Sequence, residues 1–521
     1  MDSPSLLNDV LGPVMRGPSS SHTAGSYHIG RVVRDLCGGE PAAAEFVFDP
    51  DGSYARTFRE QGVDLALATG LLGRPITDAR FEKALSIARR RGLRVTFRIS
   101  PLPGATHPNT VGIRVESGTG SSLRAMAQST GGGTFLVTEV DGWPVGITGK
   151  AHDVLAFGDR TAARYLAELL RADLPLFERP DRQVRDGETL LALRFSQPPP
   201  REFIERLEAT RGIRRVLRAA PVYFLQRGRP LFESGAGMVR LALENGWSLG
   251  RAALAYEAGL LGLTEKDVMD EFLRRFDIMR ASVVDGLRGS SVRMQLLRPT
   301  AGKIWRAEKA GKLAAGGLPA RAAARAMAVM HVSNSMGIVC AAPTGGSAGV
   351  IPGVIVTMSE DWKLPRKLVA RSLLAAGAVG LILAKRATFA AEIAGCQVEI
   401  GAAGAMAAAA VVEAAGGTAA QAADAAAIGF QNTMGSVCDL VQGMCEIPCH
   451  TRNAAAAAGA FVCADLVLGG YENPVPLDET IDAVFACGKM LPPELRCTAR
   501  GGLAMAPSAQ RLPNLKKGKI R

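Results

Sequence analysis

Apolar and polar positions alternate in short runs through the first 150 residues, then give way beyond about residue 230 to long stretches of helical period. Residues 45–48 and 95–99 read as strands, as do 111–115, 134–140 and 143–147. The last two are joined across Asp141-Gly142, a pair suited to a tight hairpin. Over 80–91, Phe81, Ala84, Leu85 and Ala88 fall at i, i+3, i+4 and i+7, the mark of a helix with one buried face. The pattern predicts an α+β domain over 1–150. A smaller α/β module follows over 151–226, with helices at 161–170 and 201–210, strands at 189–195 and 215–217, and a turn at Pro198-Pro199-Pro200. From 231 to 521 strand text nearly vanishes. Helices are predicted at 237–257, 265–287, 319–332, 365–383, 406–415, 419–428 and 453–468, so this part reads as an all-α domain.

Composition sharpens the last point. Of 521 residues, 47% are hydrophobic but only 5% aromatic, and there are 59 glycines. Alanine and glycine therefore fill the helical text, which suits helices packed at close range. The net charge is +12, but the basic residues are scattered apart from the tail at 516–521, and no nucleic-acid-binding motif accompanies them. No nucleic acid is expected as a partner. The start of the chain lacks the charged and apolar regions of a secretory signal. The longest apolar stretch, 372–384, is short of the roughly 20 residues of a membrane span. A cytoplasmic protein without a membrane partner is expected.

Nine cysteines are present, eight of them from Cys340 onward. An odd number, clustered in one half of a chain of this kind, argues for metal or redox chemistry over a disulfide framework. Cys340, Cys463 and Cys487 lie in apolar text and read as small buried hydrophobes. Cys396, Cys438 and Cys449 stand among polar residues, 42 and 11 positions apart. That spacing is too open for a zinc motif, whereas thiolates from scattered loops can hold an iron–sulfur cluster. Near the start, Gly17-Pro18-Ser19-Ser20-Ser21-His22-Thr23-Ala24-Gly25 packs four hydroxyls and an imidazole into one loop. Such a loop suits an anion, above all if it opens a helix, although a Ser-rich cap would look the same. His107-Pro108-Asn109-Thr110 is a second polar loop. The Gly-rich loop at 342–349 lacks the Gly-Lys-Ser/Thr ending of a P-loop.

Together these motifs resemble the iron–sulfur L-serine dehydratases (L-serine ammonia-lyases), with β-type and α-type domains on one chain. The β-type part is carried by 17–25, 107–110 and 131–149. The α-type part is carried by 341–349, Gly395-Cys396-Gln397-Val398-Glu399-Ile400-Gly401, 438–453 and Arg500-Gly501-Gly502-Leu503-Ala504. The middle module takes the place of the family's ACT-like domain. The resemblance implies a [4Fe–4S] cluster on Cys396, Cys438 and Cys449 with one open iron, and no pyridoxal phosphate. It implies substrate contacts from Ser19, Ser20, Ser21, Thr23, Asn109, Lys303, Thr344, Arg452 and Asn453, with His22 or His107 as the base. The expected reaction is β-elimination on a small amino acid, L-serine to pyruvate and ammonia, in amino-acid degradation and gluconeogenesis, by a homodimer. Where the family has a histidine, this chain has Gln61. That leaves two alternatives open: another β-substituted amino acid (threonine, cysteine or an analogue) as substrate, or a non-catalytic iron–sulfur sensor. Cys445 reads as a bystander.

Overall fold

The computed structural model describes residues 3–162, 165, 176 and 178–515. Most of the helix expected over 161–170, and the basic tail, lie outside them. Three assemblies of secondary structure account for the rest.

The first is a mixed six-stranded sheet in the order Arg94–Ile99, Pro41–Phe48, Thr110–Ser117, Ser122–Gly131, Thr134–Val140, Trp143–Ile147. Only the pairing of the first two is parallel. The Asp141-Gly142 hairpin forms as the sequence predicts, both residues at positive φ. Strand residues such as Phe46, Phe48, Val111 and Ile113 bury one face against Ile29, Val32, Val33 and Leu36 of the helix Gly25–Leu36. That helix and Val63–Leu71 touch backbone to backbone. A Cβ at Gly70 would lie 2.4 Å from the Tyr27 carbonyl, so only glycine allows the approach.

The second is an antiparallel four-stranded sheet, in the order Ile213–Ala219, His152–Asp159, Glu188–Phe195, Asp181–Arg185. Strand alternation divides its side chains between two cores. Val154, Ala156, Leu191 and Leu193 meet Phe203, Ile204 and Leu207 of the helix Arg201–Glu208. Leu155, Leu190 and Leu217 join the core of the first sheet.

The third is the helical half. At its centre the Ala-rich helix Ile400–Ala414, buried along nearly its whole length, packs on Arg366–Arg386, Ala419–Gln431, Cys449–Leu468 and Val350–Asp361. The apolar stretch at 372–384 is part of the 21-residue helix Arg366–Arg386, long and apolar enough to cross a membrane, as is 396–414. Their most apolar windows are 78% and 94% buried inside the protein, which accounts for their composition as core helices.

The structure corrects the sequence reading in places. The single helix predicted over 237–257 is two, Gly235–Glu244 and Leu249–Leu261, parted at Gly246, with Ser248 capping the second. The helix predicted over 80–91 is a 3₁₀ turn, Phe81–Lys83, followed by Ala84–Arg90. The helical half also carries one short strand, Ile338–Cys340, paired antiparallel with Val14–Arg16. The residues before that pair are seated in the helical half as well. Glu257 accepts bonds from the Ser5 hydroxyl and the Leu6 and Leu7 amides. Leu6 and Leu11 press on Gly377, and Val10 on Gly380.

Candidate active site

Strand pairing at 14–16 delivers the chain to Gly17, whose φ of +94° turns it into the Ser-rich loop. Ser19 caps the turn that follows by accepting from the His22 amide, and the loop runs on into the helix Gly25–Leu36. Ser20, Ser21, His22 and Thr23 are all buried. The loop lies against the Gly-rich loop of the helical half. A Cβ at Gly345 would come within 2.8 Å of the Ser20 amide nitrogen. The Ser-rich and Gly-rich loops marked in the sequence thus meet at the junction of the halves.

A buried constellation forms there. The Ser21 hydroxyl donates to Glu392 Oε1 at 2.6 Å, and the same oxygen lies 3.2 Å from His22 Nδ1. On the far side of the ring, His22 Nε2 is 3.1 Å from Ser53 Oγ, which also reaches the Cys497 carbonyl at 3.2 Å. Burial works against a charge on Glu392, but the hydrogen bond and charge of His22 and the Ser21 hydroxyl prevail and hold its carboxyl at about 2. A carboxylate facing Nδ1 calls for a proton there, and the Ser53 hydroxyl, which donates to the Cys497 carbonyl, sits on Nε2. His107 is half-buried. Burial lowers its pKa, against an opposing pull from Glu392. Its Nδ1 accepts the Asn109 amide at 3.1 Å, so in the neutral ring its proton sits on Nε2. Several buried polar atoms around these loops have no protein partner: Ser20 Oγ, both amide atoms of Asn109, and Glu392 Oε2.

The cysteines complete the site. Gly395, at φ +76°, turns the chain into Cys396, Cys438 sits in a loop, and Cys449 opens the helix Cys449–Leu468. Ligand atoms of Cys396, Cys438 and Glu399 lie within 4.8 Å of one another. Against its burial, the charges of Cys396, Cys449 and Cys438, with that of Asp439, raise the Arg452 pKa. Two further thiols join them. The Cys497 amide donates to the Cys438 carbonyl at 2.9 Å, and the neighbouring thiols of Cys396 and Cys497 raise the Cys438 pKa while that of Cys449 raises the Cys445 pKa. Cys445 thus lies beside one of the three expected ligands. Cys497 has φ +61°, a conformation that costs a non-glycine residue energy and is held by its neighbours. Such a set of buried, unbridged soft donors fits an iron–sulfur group. A cavity of about 400 Å³, lined by Gly401, Gly404, Thr433, Arg452 and Ala456, reaches Cys396.

The remaining expected residues divide. Thr344 is buried beside Ser347 and bonds to Glu399, within the site. Arg452 binds the Val437 carbonyl and Asp439. Asn453 spends its amide on the Gly346 and Cys449 carbonyls and accepts from the Gly349 amide, so it clamps the Gly-rich loop to the helix. Lys303 is not brought in. It is exposed on the helix Ala301–Lys309, because the buried face of that helix is carried by Ala301 and Glu308. Gln61 is buried beside Thr23, whose hydroxyl donates to its carbonyl, and its side chain reaches the Gly443 carbonyl at 3.4 Å. Sequence reasoning passed over Glu392, Ser53 and Cys497. The one signal for Glu392 was its place four residues before Cys396.

A family model for the serine dehydratase alpha chain matches residues 204–504. The probable L-serine dehydratase alpha chain of Bacillus subtilis is 37% identical over 54% of this chain and 94% of its own length. The alpha chain of the L-serine dehydratase of Peptoniphilus asaccharolyticus is 38% identical over 48% of this chain and 86% of its own. The probable beta chain of the Bacillus subtilis enzyme is 40% identical over 28% of this chain and 65% of its own. The chain therefore belongs to the L-serine dehydratase family, with alpha-like and beta-like parts fused in one polypeptide.

Proposed function

We propose that the protein is a [4Fe–4S]-dependent L-serine ammonia-lyase that converts L-serine to pyruvate and ammonia. The observation that carries this reading is the meeting of buried thiols with polar loops among whose buried atoms the Ser20 hydroxyl and the Asn109 side-chain amide lack protein partners. Buried polar groups are rarely left unpaired, and those that are mark a place for a ligand. Cys396, Cys438 and Cys449 would hold the cluster, and when bound it supplies a Lewis acid for a poor leaving group such as hydroxide. Ser20 Oγ and Asn109 Nδ2 are donors for the substrate carboxylate, near the start of the helix Gly25–Leu36, whose end favours an anion. His22 is the base for the Cα proton. Glu392 fixes its tautomer, Nε2 is the receiving atom, and Ser53 is placed to steer it. Gln61 stands where the family pattern has histidine and takes no part in proton transfer. The reading extends to a cytoplasmic homodimer. Domain limits near 150 and 230, and an ACT-like role for the middle module, are supported by its antiparallel sheet with a helix on one face.

The test is anaerobic purification with iron, sulfide and cofactor analysis, followed by pyruvate formation from L-serine, L-threonine and L-cysteine. About four iron and four sulfide per chain are expected, with L-serine preferred. Cys396→Ser should lose iron, while Cys340→Ser, at a buried thiol of the strand Ile338–Cys340, should keep it. Stoichiometric pyridoxal phosphate without iron would overturn the reading. A full cluster without turnover of any of these amino acids would favour the sensor.

A further inference from the structure

We infer that Glu392 is the residue by which the site selects an α-amino acid over the α-hydroxy acid of the same shape, its Oε2 accepting the substrate's ammonium group. The inference rests on the lyase reading above and adds to it a specificity determinant.

Glu392 lies on the short helix Ala391–Ala394 and is 4% exposed. Its two oxygens are in different situations. Oε1 takes the Ser21 hydroxyl and faces His22 Nδ1, whereas Oε2 has no partner. A buried carboxylate oxygen without a donor is costly, and an arriving cation relieves that cost. The position suits this use. Gly131 lies against the residue before the helix, Ala390, close enough that a Cβ on it would be 2.9 Å from the Ala390 amide nitrogen. The strand Ser122–Gly131, which ends there, pairs with the strand that Asn109 leads into, and the Ser129 amide donates to the Asn109 carbonyl at 3.2 Å. Through Ser21 and His22, Glu392 touches the Ser-rich loop, and His22 is joined by Ser53 to the Cys497 carbonyl.

The unpaired atoms match one class of ligand. Ser20 Oγ and Asn109 Nδ2 can donate, and Glu392 Oε2 and Asn109 Oδ1 can accept. An α-amino acid offers a carboxylate to the first pair and an ammonium to the second. An α-hydroxy acid brings no positive charge and leaves the carboxylate of Glu392 uncompensated. A site built around a buried polar group rejects a ligand that fails to pair with it far more strongly than it rejects a change in apolar bulk.

The experiment is calorimetric titration of the anaerobically purified holoenzyme with L-alanine and with L-lactate. The two have the same shape, and neither carries a β-hydroxyl to eliminate. The wild type is expected to bind L-alanine at least about 10-fold more tightly than L-lactate. In Glu392→Gln that preference should fall by about 10-fold or more, with L-lactate affinity and iron content little changed. Glu392→Asp, which keeps the charge, should retain part of the preference. His22→Gln, which alters one of the two partners of Oε1 and leaves Oε2 untouched, should retain it. An unchanged preference in Glu392→Gln, or equal weakening of both ligands, would overturn the assignment. If Glu392→Gln loses its iron or its fold, the Glu392→Asp and His22→Gln proteins decide, and loss of the preference in His22→Gln would count against it. A wild type that neither turns over L-serine nor binds L-alanine would instead refute the lyase reading.

Discussion

His22 is held from both sides, by Glu392 at Nδ1 and Ser53 at Nε2, so its ring has one orientation. General-base catalysis contributes about 10²–10⁴-fold. His22→Ala is expected to lose that much in kcat with iron content unchanged, as measured by pyruvate release and iron analysis. Ser21→Ala should raise KM by removing a hydroxyl that donates to Glu392, again with iron retained. Much of this site was legible because its chemistry lies in dense local motifs: a loop of four hydroxyls and a histidine, and cysteines in polar text. Glu392 was not legible. A single glutamate among alanines carries no pattern, and its importance comes from Ser21 and His22, some 370 positions away. Lys303 shows the opposite error. A lysine after a glycine looks like an anion site until the helix that carries it turns that face to solvent.

At the scale of elements, glycine sets how closely helices approach. Gly286 on the helix Glu265–Arg288 lies against Gly317–Asn334, and a Cβ there would be 1.9 Å from the Ala328 carbonyl. Gly286→Ala is expected to destabilise by about 1–3 kcal/mol, through forced separation of the pair. Gly259, exposed on Leu249–Leu261, has open space at its Cβ. Gly259→Ala should stabilise by about 0.5–1 kcal/mol, since it only restricts the unfolded chain and favours the helix. Urea midpoints of the two variants check both signs. Helix positions were read from periodicity with errors of a few residues at the ends, whereas Val350–Asp361 and Leu477–Met490 were passed over. The first is apolar nearly all round, so it has no polar face to give it a period. The strand Ile338–Cys340 was invisible for another reason: its partner is more than 300 residues away.

Across the whole molecule, burial of ionisable groups ties stability to pH. His28 lies under Tyr223 and Gly133, and burial holds its pKa at about 4, below the usual 6.5. The unfolded chain therefore takes up this proton first as pH falls. The contribution is complete above about pH 6.5 and is lost as pH drops toward 4, up to about 3 kcal/mol. The urea midpoint of the wild type should fall more steeply from pH 6.5 to 5 than that of His28→Gln, which keeps a donor toward the Gly133 carbonyl. The division into a sheet-bearing part and a helical part could be read from the sequence, but how they interlock could not, because contacts between distant segments leave no local trace. The seating of Leu6, Leu7, Val10 and Leu11 bears on the birth of the chain. Their partners at Gly377 and Gly380 leave the ribosome some 370 residues later. At about 5–20 residues per second that is a wait of roughly 20–70 s. For that interval the apolar stretch has no partner from the helical half, so its capture there has to wait until Gly380 has been made.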